Sequence, residues 1–233
     1  MKLKFREAGP EAIKKYYNGA YKYEPLPPQS YAHFLNLLDV KSGKKLLDVA
    51  CGTGNLLEEA EKRSLEGYGV DISTRAIEIA RRRTKANLKC VNVDSGLDYP
   101  GNLFDYITCL GSLEHFQNQP KVIQEMWRVA KEGAHICIYV PNEDYILHKV
   151  GYETDYQPIV KRYSLKGWIK LLESNGLLIE KVYKDNSHLT TLNAAGKGLK
   201  CLAKIILRVL LRPFVPFLPL SLCYCFIFIC RKR

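Results

Sequence analysis

The residues best equipped for chemistry are a glycine pair and three acids, spread over positions 48 to 94. In LLDVACGTGN (46–55), Asp48 interrupts an apolar run of Leu46, Leu47, Val49 and Ala50, which reads as a short strand buried on both faces. Gly52 and Gly54 then permit backbone angles closed to other residues and let a ligand approach the main chain without meeting a Cβ. Thr53 and Asn55 can satisfy local donors, and Leu56, Leu57 and Ala60 follow at helical spacing. The turn therefore opens a helix, where free N–H groups favour an anionic or strongly polar ligand. Downstream, GYGVDIS (67–73) reads as a second strand ending in Asp71, 17 positions after Gly54, where an acid can accept both hydroxyls of a ribose. NLKCVNVDS (87–95) reads as a third strand ending in Asp94 and Ser95, suited to an adenine edge. The set describes nucleotide handling, although the third glycine of the dinucleotide fingerprint is missing.

The elements that must hold these residues are legible from their caps and periodicity. Ser73 caps a helix reaching about Lys85, whose closing Arg81, Arg82 and Arg83 suit the negative end of its dipole. Pro120, Val122, Ile123, Met126 and Val129 outline another, with Gly133 as its stop. AHICIYVPN (134–142) follows as a buried strand. Ser164 starts a helix with Leu165, Trp168, Ile169 and Leu172 on one face and Asn175-Gly176 as its end, and LLIEKVYK (177–184) is again a strand. Strands alternating with helices predict an α/β, doubly wound parallel sheet with ligands at the carboxyl ends of its strands. Ahead of it, residues 10–39 read as a helical cap broken by PLPP at 25–28, with Tyr16, Tyr17, Tyr21 and Tyr23 before the break.

In content and order, LLDVACGTGN, VDIS, VDS and FDYITCLGSLEHF (104–116) resemble the class I S-adenosylmethionine-dependent methyltransferases, in particular the small-molecule type, over residues 40–185 or so. The resemblance implies a seven-stranded Rossmann-like sheet whose last strand runs antiparallel between its two neighbours, a part that CYCFIFIC (223–230) fits. Taken with the reading of the residues, the resemblance divides the chain into a helical cap at 1–39 and a methyltransferase domain at 40–233, with an inserted basic amphipathic segment at 194–220. It implies S-adenosyl-L-methionine as cofactor. Gly52 and Gly54 would pass under its methionine part, flanked by Ala50, Cys51, Thr53 and Asn55, and Asp48 would bind the amino group directly or through water. Asp71, followed by Ile72, would hold the ribose, Asp94 and the Ser95 backbone would meet the adenine, and Gly111, Ser112 and Tyr21 complete the expected contacts.

A sulfonium methyl is already electrophilic, so such a protein mainly aligns a nucleophile and excludes water. His115, just past the fourth strand, is the candidate catalytic base for a nucleophile that must lose a proton, because its ordinary pKa suits neutral operation. A histidine that merely orders this loop or bonds the cofactor is the competing reading. No NPPY-like sequence and no Pro-Cys nucleophile follow the fourth strand, which favours methyl transfer to an oxygen or nitrogen of a small, apolar or lipid-like acceptor over nucleic acid. An RNA-directed methyltransferase and a non-catalytic cofactor-binding protein are the alternatives.

The formal charge of +11 on 233 residues points to an anionic partner without bearing on the fold. Eight cysteines include no CxxC pair, so no metal centre is expected, and MKLKFREAGP lacks an apolar leader, which suits a reducing cytoplasm. Cys51 reads as a packing residue rather than a reactive thiol. Lys200, Lys204, Arg208 and Arg212 recur every four residues among apolar ones, a basic amphipathic helix suited to an anionic membrane surface through residues 197–220, to covering a pocket, or to packing on the core. The uncharged run from Pro213 to Cys230 also has nearly the length of a membrane anchor, which competes with the buried-strand reading.

Overall fold

A computed structural model describes residues 9–20, 28–145, 157, 159–185, 213, 217 and 219–232. Helices α1 (Pro10–Ala20) and α2 (Pro28–Leu37) lead into β1 (Lys45–Val49), α3 (Asn55–Lys62), β2 (Glu66–Asp71), α4 (Thr74–Arg83) and β3 (Asn87–Cys90). The second half comprises β4 (Phe104–Leu110), α5 (Gln119–Val129), β5 (Ala130–Pro141), α6 (Leu165–Ser174), β6 (Leu177–Asp185) and β7 (Cys225–Lys232). The seven strands form one sheet in the order β3-β2-β1-β4-β5-β7-β6. The first five are parallel, and β7 runs antiparallel to both β5 and β6. This is the doubly wound, Rossmann-like arrangement expected from the sequence.

The insertion of β7 settles the competition over the C-terminal run. Phe226, Phe228 and Cys230 face one side with Ile136, Ile138 and Val140 of β5, against α5 and α6. Ile227 and Ile229 face the other with Cys137 and Tyr139, on the side of α2 and α3. A strand buried on both faces has no polar side to show, which is why the segment resembled a membrane span. No helix among the described residues is long and apolar enough to cross a membrane. Lys232 ends the strand buried, its Nζ donating to Asn102 Oδ1 at 2.8 Å and Ala130 O at 2.9 Å while lying 4.2 Å over the Trp127 ring.

Two sequence boundaries are corrected. The helix expected to stop at Gly133 ends at Val129, and β5 begins at once at Ala130. Gly133, with φ 74°, lies inside that strand where the register against β4 shifts between Phe104 and Tyr106, so the glycine serves a bulge and not a helix end. The third strand is also shorter than 87–95. It stops at Cys90, because Asn92 accepts from Asp94 N and turns Val93–Ser95 into a single 3-10 turn. The basic stripe at 199–212 lies outside the described residues, as does Tyr21.

Of residues 10–39, α2 is built into the core: its Phe34 and Leu35, with Leu38 just past its end, are buried in one cluster with Leu56 and Leu57 of α3. In α1, Ile13 is the one buried side chain among those described. Phe228→Ala removes a fully buried ring from the strand that joins β5 to β6. It is expected to lower the urea midpoint by the equivalent of about 3–5 kcal/mol, with the chain still folded without denaturant. A loss below about 1 kcal/mol would mean that β7 is dispensable.

Candidate functional site

The chain leaves β1 through three left-handed residues in the next five: Ala50 (φ 59°), Gly52 (φ 51°) and Gly54 (φ 82°). Ala50 bears the steric cost of a conformation that glycine adopts freely, a local strain that the surrounding bonds must hold. Cys51 N donates to Val70 O at 2.9 Å, and Gly54 N to Cys51 O at 3.0 Å. A Cβ on Gly54 would stand 3.0 Å from Ala80 Cβ, so this glycine is required both by its angle and by the close approach of α4. Cys51 is buried, and burial pushes its thiol well above the ordinary range, which makes it an inert packing residue. Thr53 Oγ1 accepts from Asn55 Nδ2 at 3.3 Å and from Arg83 at 3.5 Å, while Asn55 Nδ2 also reaches Tyr31 OH at 3.5 Å, tying the turn to α4 and α2.

The first two acids converge on this turn. Asp71, 2% exposed at the end of β2, accepts from Gly52 N at 2.9 Å with Oδ2 and from Ser73 N at 2.8 Å with Oδ1. It braces the glycine turn and the start of α4 together, with Ile72 between them. Asp48 is buried in β1 and accepts from Thr108 Oγ1 of β4 at 2.7 Å. Burial pushes its carboxyl up to about 7; the Thr108 bond opposes that rise, and the like charge of Asp71 adds to it. Thr108 was not singled out from the sequence, because a threonine inside an apolar strand carries no sign of the partner across the sheet.

Asp94 lies in the 3-10 turn that follows β3. Its Oδ1 accepts from Asn118 N at 2.8 Å and its Oδ2 from Gln117 N at 3.2 Å, so it ties the 3-10 turn to the entry of α5. The Ser95 backbone N–H, expected to meet an adenine, is donated to Asn92 O at 2.9 Å within that turn. These bonds hold both groups in the turn that follows β3.

Past β4, Gly111 (φ 63°) donates its N–H to Tyr139 O at 2.8 Å, and Ser112 Oγ donates to Leu110 O at 3.3 Å. These bonds turn the chain into a 3-10 turn, Leu113–His115. His115 Nδ1 lies 2.5 Å from Ile159 O, which requires the proton on Nδ1, and Nε2 is 3.6 Å from Glu114 Oε1. The two side chains are 8% and 6% exposed. Lys161 reinforces the junction, its N donating to Glu114 O at 2.9 Å and its Nζ to Gln117 O at 2.6 Å. The sequence pointed to His115 but not to Ile159, since a backbone carbonyl has no signature in residue type. Asn142, fully buried, was also missed: its Nδ2 donates to Ser221 O and Cys223 O, both at 2.9 Å, fixing the end of β5 to the entry of β7. No cluster of His, Cys, Asp and Glu suited to a metal ion occurs among the described residues.

Comparison with known proteins identifies the family and the fold. A family model described as a methyltransferase domain matches residues 24–182. A demethylmenaquinone methyltransferase of Bacillus mycoides (strain KBAB4) is 30% identical over 178 residues, 72% of this chain and 70% of that one. One from Geobacillus sp. (strain WCH70) is 35% identical over 107 residues, and that match spans 42% of this chain and 46% of the relative. In fold, the chain is similar to Haemonchus contortus phosphoethanolamine N-methyltransferase 2 in complex with S-adenosyl-L-methionine, with a TM-score of 0.64 and 14% identity over 98% of this chain and 59% of that one.

Asp48 gives the site a measurable cost. Its carboxyl titrates near 7 in the folded chain and near 3.8 when unfolded, so the folded state holds the proton more tightly and loses stability as pH rises between those values. Asp48→Asn keeps an acceptor for Thr108 and removes the buried charge. It is expected to stabilise the ligand-free protein by about 2–4 kcal/mol at pH 8, a gain that shrinks toward pH 4. Urea melts across that range that show a pH-independent difference would contradict it.

Proposed function

The chain belongs to the class I S-adenosylmethionine-dependent methyltransferases, and on that premise we propose that its acceptor is a small, lipid-like molecule methylated on oxygen or nitrogen with His115 as the base. S-adenosylmethionine is the cofactor of this enzyme, and when bound it supplies an electrophilic methyl group. The donor set suits it: a buried carboxylate whose pKa is raised, with no cation among the described residues that perturb it, matches an ammonium group, and left-handed glycines at a helix start match a close backbone approach. In this reading Asp48 faces the amino group, Gly52 and Gly54 lie under the methionine part, and Asp71 reaches the ribose. Ala50, Cys51, Thr53 and Asn55 shape the turn, Ile72 follows the ribose acid, and Gly111 and Ser112 line the side toward the methyl group. Asp94 and Ser95 bound the adenine end.

The observation that carries the base assignment is the 2.5 Å approach of His115 Nδ1 to Ile159 O. A ring that donates from Nδ1 presents the lone pair of Nε2 as its acceptor, 3.6 Å from Glu114 Oε1. The protein's work is then to hold the acceptor's nucleophile in line with the transferred methyl, to receive its proton and to exclude water. The lipid-like acceptor class is supported by the curated relatives, which are demethylmenaquinone methyltransferases.

Incubation with methyl-labelled S-adenosylmethionine and a panel of quinols, phenols, amines and RNA is expected to place label in the organic-extractable products, and label in RNA would overturn the acceptor class. His115→Ala should lower turnover on the acceptor so identified by about 100-fold or more, with S-adenosylhomocysteine affinity changed less than about threefold. Unchanged turnover removes the base assignment.

An anionic membrane surface is proposed as a second partner through residues 197–220, supported by the basic stripe in the sequence and by Phe217, which is 83% exposed. Co-sedimentation with anionic but not neutral liposomes, weakened by salt, is the expected result; absence of binding at low salt would exclude it.

A further inference from the structure

Two adjacent side chains of α1 reach different parts of the molecule. Asn18 Oδ1 accepts from Ser73 Oγ at 2.7 Å, from Thr74 Oγ1 at 3.3 Å and from Arg75 N at 3.3 Å. It caps the first turn of α4 from another element, supplying an acceptor to N–H and O–H groups that the helix cannot satisfy itself. Tyr17 OH donates at 3.1 Å to Gln157 Oε1, two residues before Ile159, whose carbonyl holds His115. Ile13 is the one buried side chain of α1 among those described, and the Asn18 and Tyr17 contacts add polar docking to it.

The α4 end of this bridge is continuous with the glycine turn. The Ser73 side chain that donates to Asn18 accepts from Ala76 N at 3.1 Å, Ser73 N donates to Asp71 Oδ1, and Asp71 Oδ2 accepts from Gly52 N. Ser73 is fully buried and Asp71 nearly so, which places the relay where hydrogen bonds are least screened. Anything bound at Gly52 and Asp71 therefore acts on the carboxylate that positions Ser73, and Ser73 positions Asn18.

We infer that α1 is a strap: cofactor occupancy favours its docking through Asn18, and Tyr17 carries the docked state to the segment that holds His115. This rests on the cofactor site described above. Asn18 is a positioning residue, acting through Ser73 and Asp71. Linkage requires reciprocity: if the cofactor favours the docked strap, the docked strap tightens cofactor binding by the same factor. Asn18→Asp keeps an acceptor before the same three donors and adds a negative charge at the start of α4, where the helix dipole welcomes it, so the coupling survives. Asn18→Leu has no acceptor, and the coupling is lost.

The test combines calorimetric titration of S-adenosylhomocysteine, limited trypsin digestion after Lys14 and Lys15, and hydrogen exchange of residues 157–161, each with and without that ligand. In the wild type and in Asn18→Asp the ligand is expected to slow cleavage in α1 about fivefold or more. In Asn18→Leu, still folded by circular dichroism, cleavage should be equal with and without it, and the Kd about fivefold weaker. Tyr17→Phe should keep the α1 protection and lose the ligand-dependent protection of 157–161. A wild type that does not bind S-adenosylhomocysteine would overturn the cofactor site and the strap together. Binding with identical α1 cleavage in all variants, or a Leu variant that behaves as the wild type, would overturn the strap alone.

Discussion

The carboxylate of Asp71 is the constraint on which the strand ends depend. With one oxygen on Gly52 N and the other on Ser73 N, it fixes the turn after β1 to the start of α4, two segments that the parallel pairing of β1 and β2 only brings side by side. Left-handed Ala50 and Gly52 gain nothing from propensity, and their conformation persists because bonds on either side over-determine it. The site's geometry is thus enforced by one buried acid and not by the glycines alone, which only make the conformation affordable.

A second constraint comes from the far end of the chain. Because β7 lies between β5 and β6, the edge strand β6 is joined to the rest of the sheet only through the last strand of the chain. Asn142 joins that late strand to the end of β5, and Lys232 joins its other end to Ala130 and Asn102. Stability and site assembly are therefore coupled through contacts of high sequence separation.

What was legible in the sequence follows from which interactions leave a local trace. The glycine turn, the acids Asp48 and Asp71, the caps Ser73 and Ser164 and the double-sided apolar strand at the C-terminus depend on residue type at short spacing, and the structure has them where they were read. Gly133 was misread because positive φ serves a helix end and a strand bulge equally, and only the register with β4 distinguishes them. Thr108 against Asp48, Ile159 against His115 and Asn18 against Ser73 join positions 60, 44 and 55 residues apart. Such pairs are set by the tertiary fold, and no local pattern marks them. Asp94 shows the converse: its residue type and place were read, but its bonds to Gln117 and Asn118 depend on where α5 begins in space.

Asp48 makes the relation between stability and function explicit. A buried carboxylate facing the like charge of a second acid, with a threonine hydroxyl as its hydrogen-bond donor, is a poor stabilising device, and an apolar residue there would suit the strand. The arrangement becomes favourable when a cation enters beside it, because the interaction is made in a desolvated place where charge attraction is strongest. The energy withheld from folding is available to binding. The same bias has a direction in pH: a cation binds the ionised form of Asp48, so occupancy releases a proton wherever the ligand-free group is still protonated. The acid that breaks the first apolar strand thus costs the fold stability for as long as it is ionised without a cation beside it.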